Sequence, residues 1–182
     1  MRALVSVINR DTLLPMKLSY FAAVPVALVA LAAVSPSLWA AEQKSDAMRF
    51  FVGRTESLAT IKLVMKKPYK SRSIGRGEFK ADGSLLLVQR VEDEGKPVHE
   101  RRWQIREIGP GKFTGTMSEA KGPVTIDEVG GRYRFRFRMK GNVSVEQWIA
   151  PLPGGKTAST KVTIRKMGIT VGQSEGTIRR LD

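Results

Sequence analysis

The sequence predicts an all-β fold, an antiparallel up-and-down barrel of about eight to ten strands. Three observations predict it. Arg132–Lys140, RYRFRFRMK, alternates between aromatic-apolar and cationic side chains, and successive side chains of a strand point to opposite faces. A helix would scatter the same residues around its circumference. Turn signals recur roughly every 8–12 residues through the second two thirds of the chain, with no amphipathic helical stretch between them. The connections are short, which joins neighbours in sequence as neighbours in the sheet, and closing such a sheet removes its exposed edges.

The elements follow in order. Phe50-Phe51-Val52-Gly53-Arg54-Thr55 leads out of a polar linker, 41–49. Leu58–Met65 is the first predicted strand, with Ala59, Ile61, Leu63 and Met65 on one face. Lys66-Lys67-Pro68 breaks it, because proline cannot donate to a ladder. Arg72–Lys80 follows, and its Gly75 and Gly77 predict a bulge or sharp bend. Ala81-Asp82-Gly83 is a hairpin turn into Leu85–Glu92. The acidic turn Glu92–Pro97 leads to Val98–Ile108, and Gly109-Pro110-Gly111 punctuates. Phe113–Ser118 and Val124–Val129 are shorter strands. Gly130-Gly131 then turns into the cationic strand, and Gly141-Asn142 turns out of it into Val143–Ile149. After Pro151–Gly155, Ala158–Arg165 and Ser174–Leu181 complete the set.

The chain has 182 residues, 31 Lys+Arg against 17 Asp+Glu and a net charge of +14. Such a balance argues for anionic partners or surfaces. No cysteine is present, which excludes disulfides, thiolate metal sites, a cysteine nucleophile and a lipid-modified cysteine. Met16-Lys17, the apolar stretch Leu18–Val34 and the exit Leu38-Trp39-Ala40 have the layout of a secretory signal peptide, cleaved after Ala40. Met16 offers a second start site for it. A retained membrane anchor is the competing reading; Pro25 and the small-residue exit favour cleavage. In a bacterium the destination is the periplasm. The expected organisation is a signal peptide over 1–40, a linker over 41–49 and a barrel over 50–182. Residues 1–40 hold three basic residues and one acid, so 28 against 16 remain, and the basicity belongs to the barrel.

The FFxGRT of Phe50–Thr55, the DGxLxL of Asp82–Leu87, Arg102-Trp103, the GxFxG of Gly111–Gly115, Trp148 and the GIxVG of Gly168–Gly172 carry a resemblance. In that order, over nearly all of 50–180, the chain resembles an uncharacterised bacterial envelope family, often lipoproteins, with a lipocalin-like (calycin) barrel. It departs from that pattern in lacking a cysteine, in its Ser118–Gly122 turn and in having no glycine soon after Glu56. The resemblance implies a fold and a compartment, and no reaction.

Burial drives folding, so the apolar face of the cationic strand is expected inside. Tyr133, Phe135, Phe137 and Met139 would line the lumen, with Trp103 and Ile105 of the preceding long strand and Trp148. Arg132, Arg134, Arg136, Arg138 and Lys140 would face out, joined by Arg102 and Arg106 if their strand is close. Arginine suits bidentate contact with phosphate, so this face could meet anionic lipid or an envelope polymer, or could be solubilising charge alone. An inverted barrel would instead gather the arginines around an anionic ligand. A transmembrane barrel would need that inversion too; aromatics at 7% and charges on both faces of several strands argue against it. Export argues against nucleic acid as a physiological partner.

No nucleophile–base motif and no metal-ligand spacing are present. His99 is expected as an exposed strand histidine, and Glu92, Asp93 and Glu94 as solvated charge at a hairpin tip. No metal, cofactor or catalytic residue is therefore expected. The leading expectation is a non-catalytic protein whose lumen holds a small apolar or amphiphilic ligand. An envelope protein acting through its basic exterior comes second, and an enzyme third.

Overall fold

The structure, a computed structural model, describes residues 46–182. The expected signal peptide and residues 41–45 of the expected linker lie outside the described residues. The end of that linker is helical. Asp46–Arg49 forms one turn, α1, whose Met48 is buried. Met48 belongs with Phe50 and Phe51 to a short apolar run that burial draws into the end of the barrel.

Ten strands follow: β1 (Gly53–Leu63), β2 (Tyr69–Phe79), β3 (Leu85–Asp93), β4 (His99–Gly109), β5 (Lys112–Met117), β6 (Val124–Val129), β7 (Arg132–Met139), β8 (Val143–Pro151), β9 (Thr157–Lys166) and β10 (Ile169–Arg180). Each pairs antiparallel with its neighbours in sequence, and β1 pairs with β10 to close the barrel. That last register runs from Thr55 opposite Arg180 to Leu63 opposite Gly172. The architecture is the lipocalin-like up-and-down barrel expected.

Two strands begin well before their sequence signal. β1 begins at Gly53 and β10 at Ile169, because Thr, Ser and Gly positions with weak alternation are held by pairing on both sides. Met65, expected within the first strand on one face with Ala59, Ile61 and Leu63, lies beyond it in the turn with φ 61° and is solvent-exposed. Gly75 and Gly77 make no bulge, since β2 keeps an unbroken register with both β1 and β3. Their role is clearance: a Cβ at Gly77 would stand 2.0 Å from the Phe51 carbonyl oxygen, and one at Gly75 would stand 2.7 Å from Thr55 Oγ1. The register shifts fall instead at Glu107/Gly109 and Thr170/Gly172.

Alternation sorts the wall as expected. Phe135 is buried while Arg136 and Arg138 beside it are exposed, and Trp103 and Ile105 are buried between exposed Arg102, Gln104 and Arg106. Met48 and Phe51 join Leu85, Ile105, Phe113, Ile126, Phe135, Ile149 and Ile178 in one cluster, so a layer of side chains closes the end beside α1. At the other end, hairpins 64–68, 94–98, 118–123, 140–142 and 167–168 surround an open mouth.

Candidate functional site

The inner wall is unequal around its circumference. On β1, β2 and β10 most inward positions are small, Ser57, Ala59, Ser71, Ser73 and Ser174, with Ile61 and Tyr69 toward the mouth and Ile178 toward the other end. Across from them stand Leu87, Trp103, Met117, Phe135 and Phe137. Large side chains on one arc cannot reach the small ones on the other, and a lumen of about 470 Å³ remains between them. That volume lies within the range of small-molecule sites, roughly 300–1,000 Å³.

Trp103 organises the large-residue arc. Its ring meets Phe135 edge-to-face at 6.2 Å and Phe137 at 5.7 Å, and its indole N–H donates to Gln89 Oε1 at 2.8 Å. The ring is thus held by three partners, two apolar and one polar. Farther around the wall, Gln147 Nε2 donates to Thr160 Oγ1 at 3.0 Å. The lumen thus has one apolar, aromatic arc facing an arc of small residues that are mostly serines, with Gln89, Gln147 and Thr160 fixed by hydrogen bonds, a composition that orients a ligand as well as burying it.

Paired charges collar the mouth. Lys96 Nζ donates to Tyr69 Oη at 2.9 Å and to Asp93 Oδ2 at 3.0 Å. Burial alone would push the Asp93 carboxyl up, but hydrogen bonds from Ser71 and Lys96 outweigh it, and its pKa lies below the ordinary value. Burial likewise works to lower Lys96, whereas Tyr69 and Asp93 raise it, and the net direction is up. Beside this pair, Glu119 accepts from Arg101 Nε at 2.9 Å and lies 2.8 Å from His99 Nε2.

Two expectations are corrected here. His99 is half-buried at the mouth, not an exposed strand residue, because it shares the inward face of β4 with Arg101 and Trp103. Of the three acids expected at a solvated tip, Asp93 turns inward to the collar; Glu92 pairs with Arg72 and Arg90 on the outside, and Glu94 accepts from the Lys70 amide. The signal for the collar was present in the spacing of two from Trp103 back to Arg101 and His99.

The closed end has its own pocket, about 420 Å³, lined by Phe50, Phe51, Tyr133, Pro151, Ala158 and Arg180 among others. Phe51 and Ile149 border both this pocket and the lumen, so a single layer of side chains separates them. Tyr133, expected in the lumen, faces this second pocket, since it lies at the β7 end nearest α1. Trp103, Ile105, Phe135, Phe137 and Met139 do line the lumen.

Trp148 does not. It lies on the outer face of β8 opposite Arg134, in step with Ser144 and Glu146, while Val145, Gln147 and Ile149 point in. The guanidinium carbons of Arg132 and Arg134 stand 5.1 and 5.6 Å from its ring centre and cover it, a cation–π arrangement that shields apolar surface without burying it in the core. The arginine row is exterior, as expected, but not continuous with Arg102 and Arg106. Strands β5 and β6 intervene, and Asp127 on β6 lies 3.4 Å from Arg134 and 2.8 Å from Arg136.

Among the described residues no group of three or more His, Asp or Glu side chains could hold a metal ion. The chain matches no protein-family profile and no curated protein sequence. Its likeness to solved structures is one of fold. The S-type phycobiliprotein lyase from Guillardia theta superposes with a TM-score of 0.61 at 12% identity, over 75% of this chain and 92% of that one. Rv2717c from M. tuberculosis gives 0.56 at 13%, over 75% and 96%. A protein of unknown function from the DUF3598 family of Nostoc punctiforme gives 0.54 at 11%, over 74% of this chain and 49% of that one.

Proposed function

We propose that the chain is a binding protein whose lumen holds one small apolar or amphiphilic molecule. One observation carries this reading: a cavity of about 470 Å³ with a large apolar arc lies beneath a collar of paired charges. Apolar side chains turned toward a water-accessible void gain free energy when an apolar guest replaces the water. The body of the guest would lie against Trp103 and Phe135, and its polar end would meet Lys96, Asp93, Arg101 or His99. One structural neighbour is named a lyase. For this chain we propose holding without a reaction.

Native mass spectrometry of protein purified from its own host tests the reading. A lipid-sized adduct is expected, and it should be absent from an Ala59→Trp variant that fills the small-residue arc. A wild-type protein that carries no adduct and takes up no amphiphile from a host lipid extract would overturn it.

Export belongs to the same proposal: cleavage after Ala40 would deliver the barrel to the periplasm. A second reading uses the exterior, where Arg138 and Arg165 flank Ser144 and Arg132 and Arg134 cover Trp148, as a contact for anionic lipid or polymer. Salt-sensitive binding lost in Arg134→Ser/Arg136→Ser/Arg138→Ser with an unchanged melting temperature would support it.

A further inference from the structure

The four most exposed large apolar side chains of the described barrel lie together. Met65 is 99% exposed, Met167 75%, Ile169 72% and Val64 64%. They belong to the β1–β2 and β9–β10 hairpins, which are adjacent because β1 pairs with β10, and the Val64 amide donates to the Val171 carbonyl at 2.9 Å. The next tip, β7–β8, is tied in by the Met167 amide, which donates to the Asn142 carbonyl at 3.4 Å. Three neighbouring tips thus form one side of the lumen mouth.

Their charges are of one sign. Residues 64–68, 140–142 and 166–169 contain Lys66, Lys67, Lys140 and Lys166, all exposed, and no acidic residue. The other two tips of the mouth, 94–98 and 118–123, each carry a glutamate. The backbone adds an independent observation. Met65 and Met167 both sit at positive φ, 61° and 51°, where glycine or asparagine is comfortable and an unbranched apolar residue is strained. Strain with no internal packing in return marks a position kept for contact with something else.

We propose that this side of the mouth docks on an anionic lipid bilayer. Unbranched thioether side chains flanked by lysines suit the boundary between head groups and acyl chains: the apolar tips enter by roughly 5–10 Å, while the ammonium groups stay at phosphate depth. Docked so, the lumen opens toward the membrane. Ile61 and Ile164 of the lining lie just inside the same hairpins, so an apolar path runs from the tips into the cavity. The proposal concerns the surface and stands apart from whether the lumen is filled.

The absence of cysteine supplies the test. In the chain as its host processes it, Met65→Cys and, separately, Arg136→Cys are labelled with the environment-sensitive fluorophore NBD. Vesicles of phosphatidylglycerol and phosphatidylethanolamine should brighten and blue-shift the label at position 65 but not at 136, and phosphatidylcholine vesicles should do so far less. Met65→Asn/Met167→Asn, which suits the backbone at both positions, should bind anionic vesicles by flotation roughly tenfold or more weakly. Lys66→Gln/Lys67→Gln/Lys166→Gln should remove most of the salt dependence of binding. An unchanged label at 65, an equal change at 136, or an equal change with soluble dextran sulfate would overturn the proposal. So would loss of binding in the Arg134/Arg136/Arg138 triple serine variant alone.

Discussion

Replacing Phe135 by alanine tests the inside–outside assignment of the wall more sharply than any other single change. Its ring is 4% exposed and packs edge-to-face on Trp103. Truncating a buried phenylalanine costs about 3–5 kcal/mol, including an aromatic pair worth about 0.5–1.5. One side of this ring faces the lumen, where protein atoms are missing from its contact shell, so the loss belongs at the lower end, about 3 kcal/mol. For a domain of this length that corresponds to a melting temperature lower by roughly 10 °C. One residue away, Arg136 is half exposed and pairs with Asp127 at 2.8 Å, an ion pair worth at most about 1 kcal/mol at such a site. Urea melts of both alanine variants, read at equal m-values, should therefore separate by about 2 kcal/mol. Equal losses, or a larger one at Arg136, would refute the face assignment and the lumen built on it.

Gly77→Ala should cost about 2 kcal/mol or more in urea melts, because its Cβ would stand 2.0 Å from the Phe51 carbonyl and displace the closed end. Met65→Asn should raise stability by a few tenths to about 1 kcal/mol in the same assay, since asparagine relieves the strain at φ 61° and an exposed methionine gives up no packing. Asp93 and Glu56 have folded pKa values below 3.8 and 4.5, Glu56 through hydrogen bonds from Arg72 and Arg179. The unfolded chain therefore takes up those protons first, and their contribution is whole above the ordinary values and lost as pH falls through the lowered ones. The urea midpoint should drop below about pH 4, less steeply in Glu56→Gln/Asp93→Asn. N-terminal sequencing of the protein purified from its host should give Ala41 as the first residue; a chain that begins at Met1 or Met16 and stays in the inner membrane refutes cleavage.

The wall was legible because its information is local. Period-two alternation in RYRFRFRMK put Phe135 in and Arg136 out, and glycine turns such as 130–131 and 141–142 marked the hairpins. The misread residues follow from contacts distant in sequence. Trp148, expected in the lumen, is in step with Glu146 and out of step with Ile149, which points it outward; its cover comes from arginines of another strand. Gly75 and Gly77 read locally as a bend, whereas their cause is clearance for the Thr55 side chain and the Phe51 backbone, both on other segments. The collar joins Tyr69, Asp93 and Lys96 at one point and His99, Arg101 and Glu119 at another, and only the closed sheet brings those segments to one rim.

Closure itself has a consequence for how the chain comes into being. Nine of the ten ladders join strands consecutive in sequence, and only β1 with β10 spans the whole domain. A nascent chain can zip hairpin upon hairpin as it emerges, with little loop entropy lost at each step. Until residues 169–180 arrive, however, the growing sheet is a ribbon with two bare rims, each ready to pair with the rim of another molecule. The final strand converts that ribbon into a ring. Synthesis stalled before it, or a truncation that removes it, leaves a polymerisable sheet instead of a slightly weakened barrel.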